Sequence, residues 1–135
     1  MKLGVKVINS NIYDYVNVLD KAADASWMRQ EAISNNIANV NTPGYKRQDV
    51  AFEDSLQEAI SNSRYRSTDE KVANLSKADL RIRSYTDSSG FSYRLDGNNV
   101  DIDTENAALA RNQLKYNALV DSINHEFSMI KAVTQ

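Results

Sequence analysis

The acidic segment 101–105, which reads Asp-Ile-Asp-Thr-Glu, is the part of the sequence best suited to bind a metal ion. A calcium-binding loop, however, requires glycine at its sixth position and a bidentate glutamate at its twelfth. Counted from Asp101, those two positions hold Asn106 and Asn112. Counted from Asp96, the fifth position is Val100, whose side chain has no oxygen. The spacing therefore favours a helix cap over a metal site.

Residue types that serve as nucleophiles or bases are also sparse. The one histidine, His125, has no second histidine to share a metal with, and it is predicted to be a solvated surface residue. The chain has no cysteine, which excludes disulfides, thiolate catalysis and cysteine-ligated zinc. No serine lies in a Gly-x-Ser-x-Gly context, and the four glycines do not form a phosphate-binding loop. We therefore expect no catalytic residue, no metal and no cofactor.

Composition and charge exclude further classes of protein. Sixteen Lys and Arg against eighteen Asp and Glu give a net charge of -2, so the chain lacks the basic excess that nucleic-acid binding requires. No apolar run approaches the ~18 residues of a membrane span. The first residues contain no apolar core of a signal peptide. The sequence predicts no nucleic-acid partner, no direct membrane insertion and no cleaved signal.

A stripe of apolar residues predicts a long N-terminal helix. The apolar residues of the stripe are Ile12, Val16, Leu19, Ala23, Ile33, Ile37 and Val40. When Ser26 and Gln30 are counted in the gap between Ala23 and Ile33, the spacing alternates between four and three residues. This is heptad spacing, and the absence of Pro and Gly from Asn11 to Val40 allows a continuous helix there. Pro43 and Gly44 then end the helix in a type II turn, in which Gly44 adopts a positive φ.

A second stripe predicts a C-terminal helix over Thr104–Val133. Its members recur every seven residues, with further apolar residues between them: Ile102, Leu109, Tyr116, Leu119, Ile123, Phe127, Ile130 and Val133. Asp103 or Thr104 is expected to cap the first turn, and Glu105 complements the positive end of the helix dipole.

The middle of the chain has a different texture. Phe52, Leu56 and Ile60 predict a short amphipathic helix that ends near Ser61, and the polar stretch 61–79 predicts a mobile loop. Alternating residues in 80–85 and 91–95 predict a β-hairpin. The expected fold is mainly α, with long terminal helices that pair in a coiled-coil-like manner. Its segments are 1–45, 46–100 and 101–135, which act as one functional unit.

Two features allow alternative interpretations at this point. Trp27 is equally compatible with a core position and with an anchor for a partner protein. The two stripes could close on each other in a helical hairpin, but each exceeds three heptads, and two helices alone leave much of an apolar seam in water. We therefore expect the seams to continue into neighbouring molecules.

Two segments resemble the signatures of the bacterial flagellar basal-body rod and hook proteins. Residues 34–46 read Ser-Asn-Asn-Ile-Ala-Asn-Val-Asn-Thr-Pro-Gly-Tyr-Lys and resemble the N-terminal signature, and residues 98–105 and 112–119 resemble the C-terminal motif. Arg47-Gln48-Asp49-Val50 before Phe52, with the short length, is most similar to the proximal-rod branch of the family. The family motif comprises Asn36, Asn39, Thr42, Pro43, Gly44, Tyr45, Asn99, Val100 and Asp101.

The resemblance implies a structural subunit of the hollow, torque-transmitting flagellar rod. It implies assembly through the terminal helices, with copies of itself, other FlgC-like rod proteins and a FliE-like basal adaptor at the rotor ring and export gate as partners. It also implies localisation to the flagellum basal body after type III export without a cleaved signal. The alternative reading is a soluble helical adaptor or export chaperone. A small hydrolase is a third reading, for which the sequence offers no site.

Overall fold

Two long helices dominate the fold. The computed structural model describes residues 2–76, 78–88 and 94–134, and it describes side chains from residue 13 onward. The elements in chain order are α1 (Lys2–Ala38), β1 (Gln48–Ala51), α2 (Glu53–Ser61), α3 (Thr68–Ala73), β2 (Arg83–Thr86) and α4 (Ile102–Thr134). The mainly α fold and both terminal helices are confirmed. α1 begins ten residues before its apolar stripe, and α4 begins at Ile102, two residues before the predicted start.

The middle region contains a two-stranded antiparallel sheet. β1 pairs with β2 so that Val50 lies opposite Ser84 and Asp49 lies opposite Tyr85. The prediction of a strand in the region 80–85 is confirmed, but its observed partner is β1, where the sequence predicted no strand, and not the segment 91–95. Alternation indicates a strand without indicating its partner. Most of the predicted second strand, residues 91–93, lies outside the described residues.

Two short helices follow β1. α2 ends at Ser61 as predicted, and its first turn carries Glu53 and Asp54 at the positive end of the helix dipole. The prediction of a loop over all of 61–79 is wrong, because α3 lies within it. Ser67 caps α3, since its hydroxyl accepts a hydrogen bond from the Glu70 N–H at 3.2 Å.

The chain packs as two compact units. The first unit comprises Met1–Ala23, Phe52–Arg81 and Ala118–Gln135, and the second comprises Asp24–Ala51 and Ile82–Asn117. Each has its own buried apolar residues: Phe52, Val72 and Leu80 in the first unit, and Ala25, Ala32, Ile33, Val50 and Val100 in the second. No helix among the described residues has an apolar stretch long enough to cross a membrane.

Candidate functional site

The second unit joins the end of α1 to the start of α4 through a polar network, which we call the clasp. It consists of Asn36 and residues 39–49 on one side and residues 87, 94–101 and 105 on the other. Most residues of the resemblance motif lie in it. Its main parts are the turn after α1, the buried Asn36 and Asn98, and Arg47.

Asn98 binds the turn that follows α1. Its side chain is fully buried, and its Nδ2 lies 2.9, 3.1 and 2.8 Å from the carbonyl oxygens of Asn39, Val40 and Thr42. These residues follow Ala38, the last residue of α1, so the amide holds the chain where the helical hydrogen bonds have ended. The Asn98 Oδ1 accepts from the Val100 N–H at 2.8 Å, which fixes the orientation of the amide.

The predicted turn at Pro43 and Gly44 is present. Gly44 has a φ of 72°, and the Tyr45 N–H donates to the Thr42 carbonyl at 3.2 Å, which closes a four-residue turn. The Gly44 N–H donates to the Asp96 carbonyl at 2.7 Å. The chain reversal after α1 is therefore bonded directly to the segment that precedes α4.

Asn36 is the second buried asparagine, with no exposed surface. Its Nδ2 donates to the Gln48 carbonyl at 2.8 Å and to Glu105 Oε2 at 3.2 Å. Its Oδ1 accepts from the Gln48 N–H at 2.8 Å and from the Tyr45 hydroxyl at 3.2 Å. One side chain of α1 thus holds the first residue of β1 and reaches α4.

Arg47 provides the charged part of the clasp. Its Nε donates to Glu105 Oε1 at 2.8 Å and its Nη1 donates to Asp87 Oδ2 at 2.6 Å, while Asp49 lies 3.4 Å from Nη2. Burial by itself lowers the pKa of Arg47, but the hydrogen bonds to Glu105 and Asp87 outweigh burial and raise that pKa. The Glu105 side chain is buried, so Arg47 neutralises a carboxylate that water does not reach.

Asn99 connects Arg47 to Asp87, the residue that follows β2. Its Oδ1 accepts from the Arg47 N–H at 2.8 Å, and its Nδ2 donates to the Asp87 carbonyl at 2.6 Å. The Asp87 N–H donates in turn to the Arg47 carbonyl at 2.9 Å. Asp87 therefore holds both the backbone and the side chain of Arg47, and Asn99 holds its backbone N–H.

Asp101 caps α4. Its Oδ1 accepts from the N–H of Asp103 at 3.0 Å, and its Oδ2 accepts from the Thr104 hydroxyl at 3.1 Å. The capping role of the acidic segment is confirmed, but the expectation that Asp103 or Thr104 is the cap is wrong. Glu105 does more than face a helix dipole, because it is buried against Arg47 and Asn36.

A polar contact replaces apolar packing where the first stripe has its gap. The Ser26 hydroxyl donates to Asn112 Oδ1 at 2.9 Å, and Asn112 Nδ2 donates to the Ser26 carbonyl at 2.8 Å and to Gln30 Oε1 at 3.3 Å. Ser26 and Asn112 are buried, with 1% and 4% of their surface exposed. Ser26 pairs with Asn112 and Asn36 with Glu105, so α1 and α4 run antiparallel in the second unit.

The remaining predicted residues differ in burial. Among the stripe residues, Ile33 is buried, Ile102, Phe127 and Val133 are exposed, and the Ile12 side chain lies outside the described residues. The other members are half-buried: Val16, Leu19, Ala23, Ile37, Val40, Leu109, Tyr116, Leu119, Ile123 and Ile130. Thr42 and Pro43 are exposed, and the Thr42 hydroxyl donates to Asn39 Oδ1 at 3.1 Å. Trp27 is 64% exposed, which excludes a core position within the chain.

The arrangement is suited to holding two helices in one register. Within the described residues, no group of three His, Cys, Asp or Glu side chains could hold a metal ion. The carboxylates that do converge, Asp49, Asp87 and Glu105, all contact Arg47. Sequence reasoning missed the roles of Arg47, Asn98 and Asn112. The sequence did contain a signal for Asn112, because this polar residue occupies a core position of the heptad pattern, three residues after Leu109.

Comparisons with known proteins agree with the resemblance. The family model described as "Flagella basal body rod protein" matches residues 18–46, which contain the end of α1 and the turn. The chain is 38% identical to the flagellar basal body rod protein FlgB of Bacillus subtilis (strain 168) over 115 residues, covering 85% of this chain and 88% of the relative. It is 34% identical to FlgB of Borreliella burgdorferi over 119 residues, covering 82% and 87%.

A third relative extends the match to almost its whole length. The FlgB protein of Borrelia hermsii is 34% identical over 133 residues, which cover 91% of this chain and 98% of that protein. The similarity therefore includes both helices and the middle region between them. The chain belongs to the FlgB family of flagellar basal body rod proteins and is a structural subunit of the rod.

Proposed function

We propose that this rod subunit assembles through α1 and α4, and that their apolar stripes are covered by neighbouring subunits in a hollow proximal rod that transmits torque. The observation that carries the proposal is the exposure of large apolar side chains along α4. Leu114 is 71% exposed, Phe127 is 50% exposed and Val133 is 60% exposed. Apolar surface of this extent along one element is typical of a protein interface.

The partners follow from the family and the proposed assembly. They are copies of the chain, FlgC-like rod proteins and a FliE-like adaptor at the rotor ring and export gate, and the subunit reaches them by type III export without a cleaved signal. The segments 1–45, 46–100 and 101–135 act in it as one functional unit without enzyme activity. A soluble adaptor or export chaperone is not favoured, because the full-length relatives are rod proteins.

The test replaces one half-buried stripe residue in each helix by a charge. Ile37→Asp and Ile123→Asp each place a carboxylate where assembly would bury an isoleucine, a burial that stabilises by ~1.5–3 kcal/mol. Cells with either variant should lack a rod beyond its base. Asn35→Asp and Asn124→Asp are matched controls, because they add the same charge at exposed neighbouring positions. Normal swimming by both isoleucine variants, at normal protein levels, would contradict the proposal.

A further inference from the structure

Leu95 is an exposed side chain on a tight turn. It has a relative exposure of 109%, so none of the described residues covers it. The turn is closed by the Gly97 N–H, which donates to the Arg94 carbonyl at 3.1 Å, and Gly97 has a φ of 76°. Leu95 therefore stands at the second position of a four-residue turn, with its side chain entirely in water.

The turn that carries Leu95 is held in place at both ends. The Arg94 Nη1 donates to the Val40 carbonyl at 2.6 Å, and the Asp96 carbonyl accepts from the Gly44 N–H at 2.7 Å. These bonds attach the turn to the end of α1. Because the turn is bonded at both ends, Leu95 is a preformed apolar projection.

The same unit contains an uncovered hollow between α1 and α4. Its volume is about 310 Å³, and Trp27 and Tyr116 form one side with their ring centroids 6.3 Å apart. Gln30 and Gln113 line the rest, above the buried pair of Ser26 and Asn112. The hollow can accommodate a leucine side chain against an aromatic surface that is otherwise exposed.

The leucine of the same copy cannot fill this hollow. Leu95 is attached to Val40, ten residues after Gln30, which corresponds to roughly 15 Å along a helix at 1.5 Å per residue. The bonds of the turn prevent it from moving that distance. A Leu95 side chain that occupies this hollow must therefore belong to another molecule.

The charges around the two features are complementary. Asp24 and Glu31 are exposed and lie three residues before and four residues after Trp27, so they share its face of α1. Lys46 donates to the Gly97 carbonyl and brings a cation to the leucine turn. An acidic border on the hollow and a cation beside the projection favour their association.

We propose that Leu95 of one copy inserts into the Trp27–Tyr116 hollow of a second copy, an inference that rests on the proposed assembly and names one contact within it. The two surfaces differ, so the contact is head-to-tail. Contacts of this kind generate open helical arrays when they do not close into a ring, which is the geometry a rod requires. The buried aromatic pair would form the centre of the interface.

Cysteine crosslinking tests the contact directly, because the natural chain has no cysteine. Cells would make two differently tagged copies, one with Leu95→Cys and one with Gln113→Cys, and isolated basal bodies would be oxidised. A covalent heterodimer is expected. The control replaces Gln113→Cys by Ala107→Cys, an exposed position six residues earlier and on another face of α4, and it should give none.

The outcomes separate this inference from the proposed assembly. Swimming strains whose basal bodies contain both copies show that assembly occurs, so the absence of the heterodimer there would overturn the Leu95 contact alone. Equal yields from Gln113→Cys and Ala107→Cys would also overturn it. A dimer formed only between two Leu95→Cys copies would mean a symmetric contact and would contradict the head-to-tail arrangement.

Substitutions at Leu95 give a second measurement. Because the Leu95 side chain is not covered by the part of the chain that the structure describes, Leu95→Lys should leave the helical content and unfolding of the purified protein unchanged. It should nevertheless cause a loss of completed basal bodies, whereas Leu95→Met should retain them, because methionine keeps the apolar volume. Normal basal bodies with Leu95→Lys would contradict the inference.

Discussion

Asn98 provides the sharpest test of the clasp, because its amide does two chemically distinct things. Its Nδ2 faces three carbonyl oxygens at 2.8–3.1 Å, and its Oδ1 accepts from the Val100 N–H. An amide has two N–H donors, so about three net hydrogen bonds depend on this side chain. At about 1 kcal/mol each, with an added cost for buried groups left unpaired, Asn98→Ala should lower the free energy of unfolding by ~2–4 kcal/mol.

Asn98→Asp should be at least as damaging as alanine at pH 7, although it is nearly the same shape. It keeps the acceptor for Val100 but directs a negative oxygen at three carbonyl oxygens, near the negative end of the α1 dipole. Burial raises the pKa of a carboxyl group in that position. The protonated form can donate, so the defect should shrink as the pH falls and return as the pH rises through that pKa.

Urea unfolding of the full chain, followed by circular dichroism, measures both effects. Asn98→Ala has no added titratable group, so its defect relative to the natural chain should not vary with pH. Asn124→Asp controls for the added charge at an exposed site. The compared quantity is the loss of unfolding free energy at pH 7. If Asn98→Asp loses less than Asn98→Ala by more than ~1 kcal/mol, Asn98 is not a donor to the end of α1.

Three further predictions concern the turn, the helices and the histidine. Gly44 has a φ of 72°, and the space where a Cβ would stand is open. Substitution therefore costs conformational energy only, ~1–2 kcal/mol for most residues. Gly44→Val should impair rod assembly more than Gly44→Asn, as measured by the number of basal bodies per cell. The isolated monomer should show fast amide hydrogen exchange within residues 1–40 and 104–135, because the half-exposed stripes leave both helices weakly held. Strong protection of these amides in a proven monomer would refute this prediction. His125 is exposed, so His125→Ala should leave motility on soft agar unchanged.

Heptad spacing predicted the helical elements well, because periodicity depends on residues close in sequence. The stripe that includes Ile33 and Ile37 located α1, and Pro43 and Gly44 located its end within two residues of Ala38. The spacing of Phe52, Leu56 and Ile60 located α2 equally well. Local patterns are sufficient where the backbone bonds close within a few residues.

Partners distant in sequence could not be predicted in this way. β1 is held by the Asn36 side chain and by β2, which is 35 residues later, so its four residues show no signal of their own. Glu105 was assigned only to the positive end of the helix dipole, but Arg47, 58 residues away, allows it to be buried. The exposed leucine at position 95 was likewise counted as part of a strand, because alternation cannot distinguish a strand residue from a turn residue beside it.

The polar residues in the first stripe have a structural purpose that apolar spacing hides. Ser26 and Asn112 bond to each other with both side chains buried, so sliding α4 by one turn would leave both unpaired. An apolar seam tolerates such a slip far better, because its attraction is not directional. Buried polar pairs are known to fix the register of paired helices in this way. The Ser26–Asn112 pair and the Asn36–Glu105 pair lie at two levels of the same antiparallel helix pair, and together they define one register for the helices of the second unit.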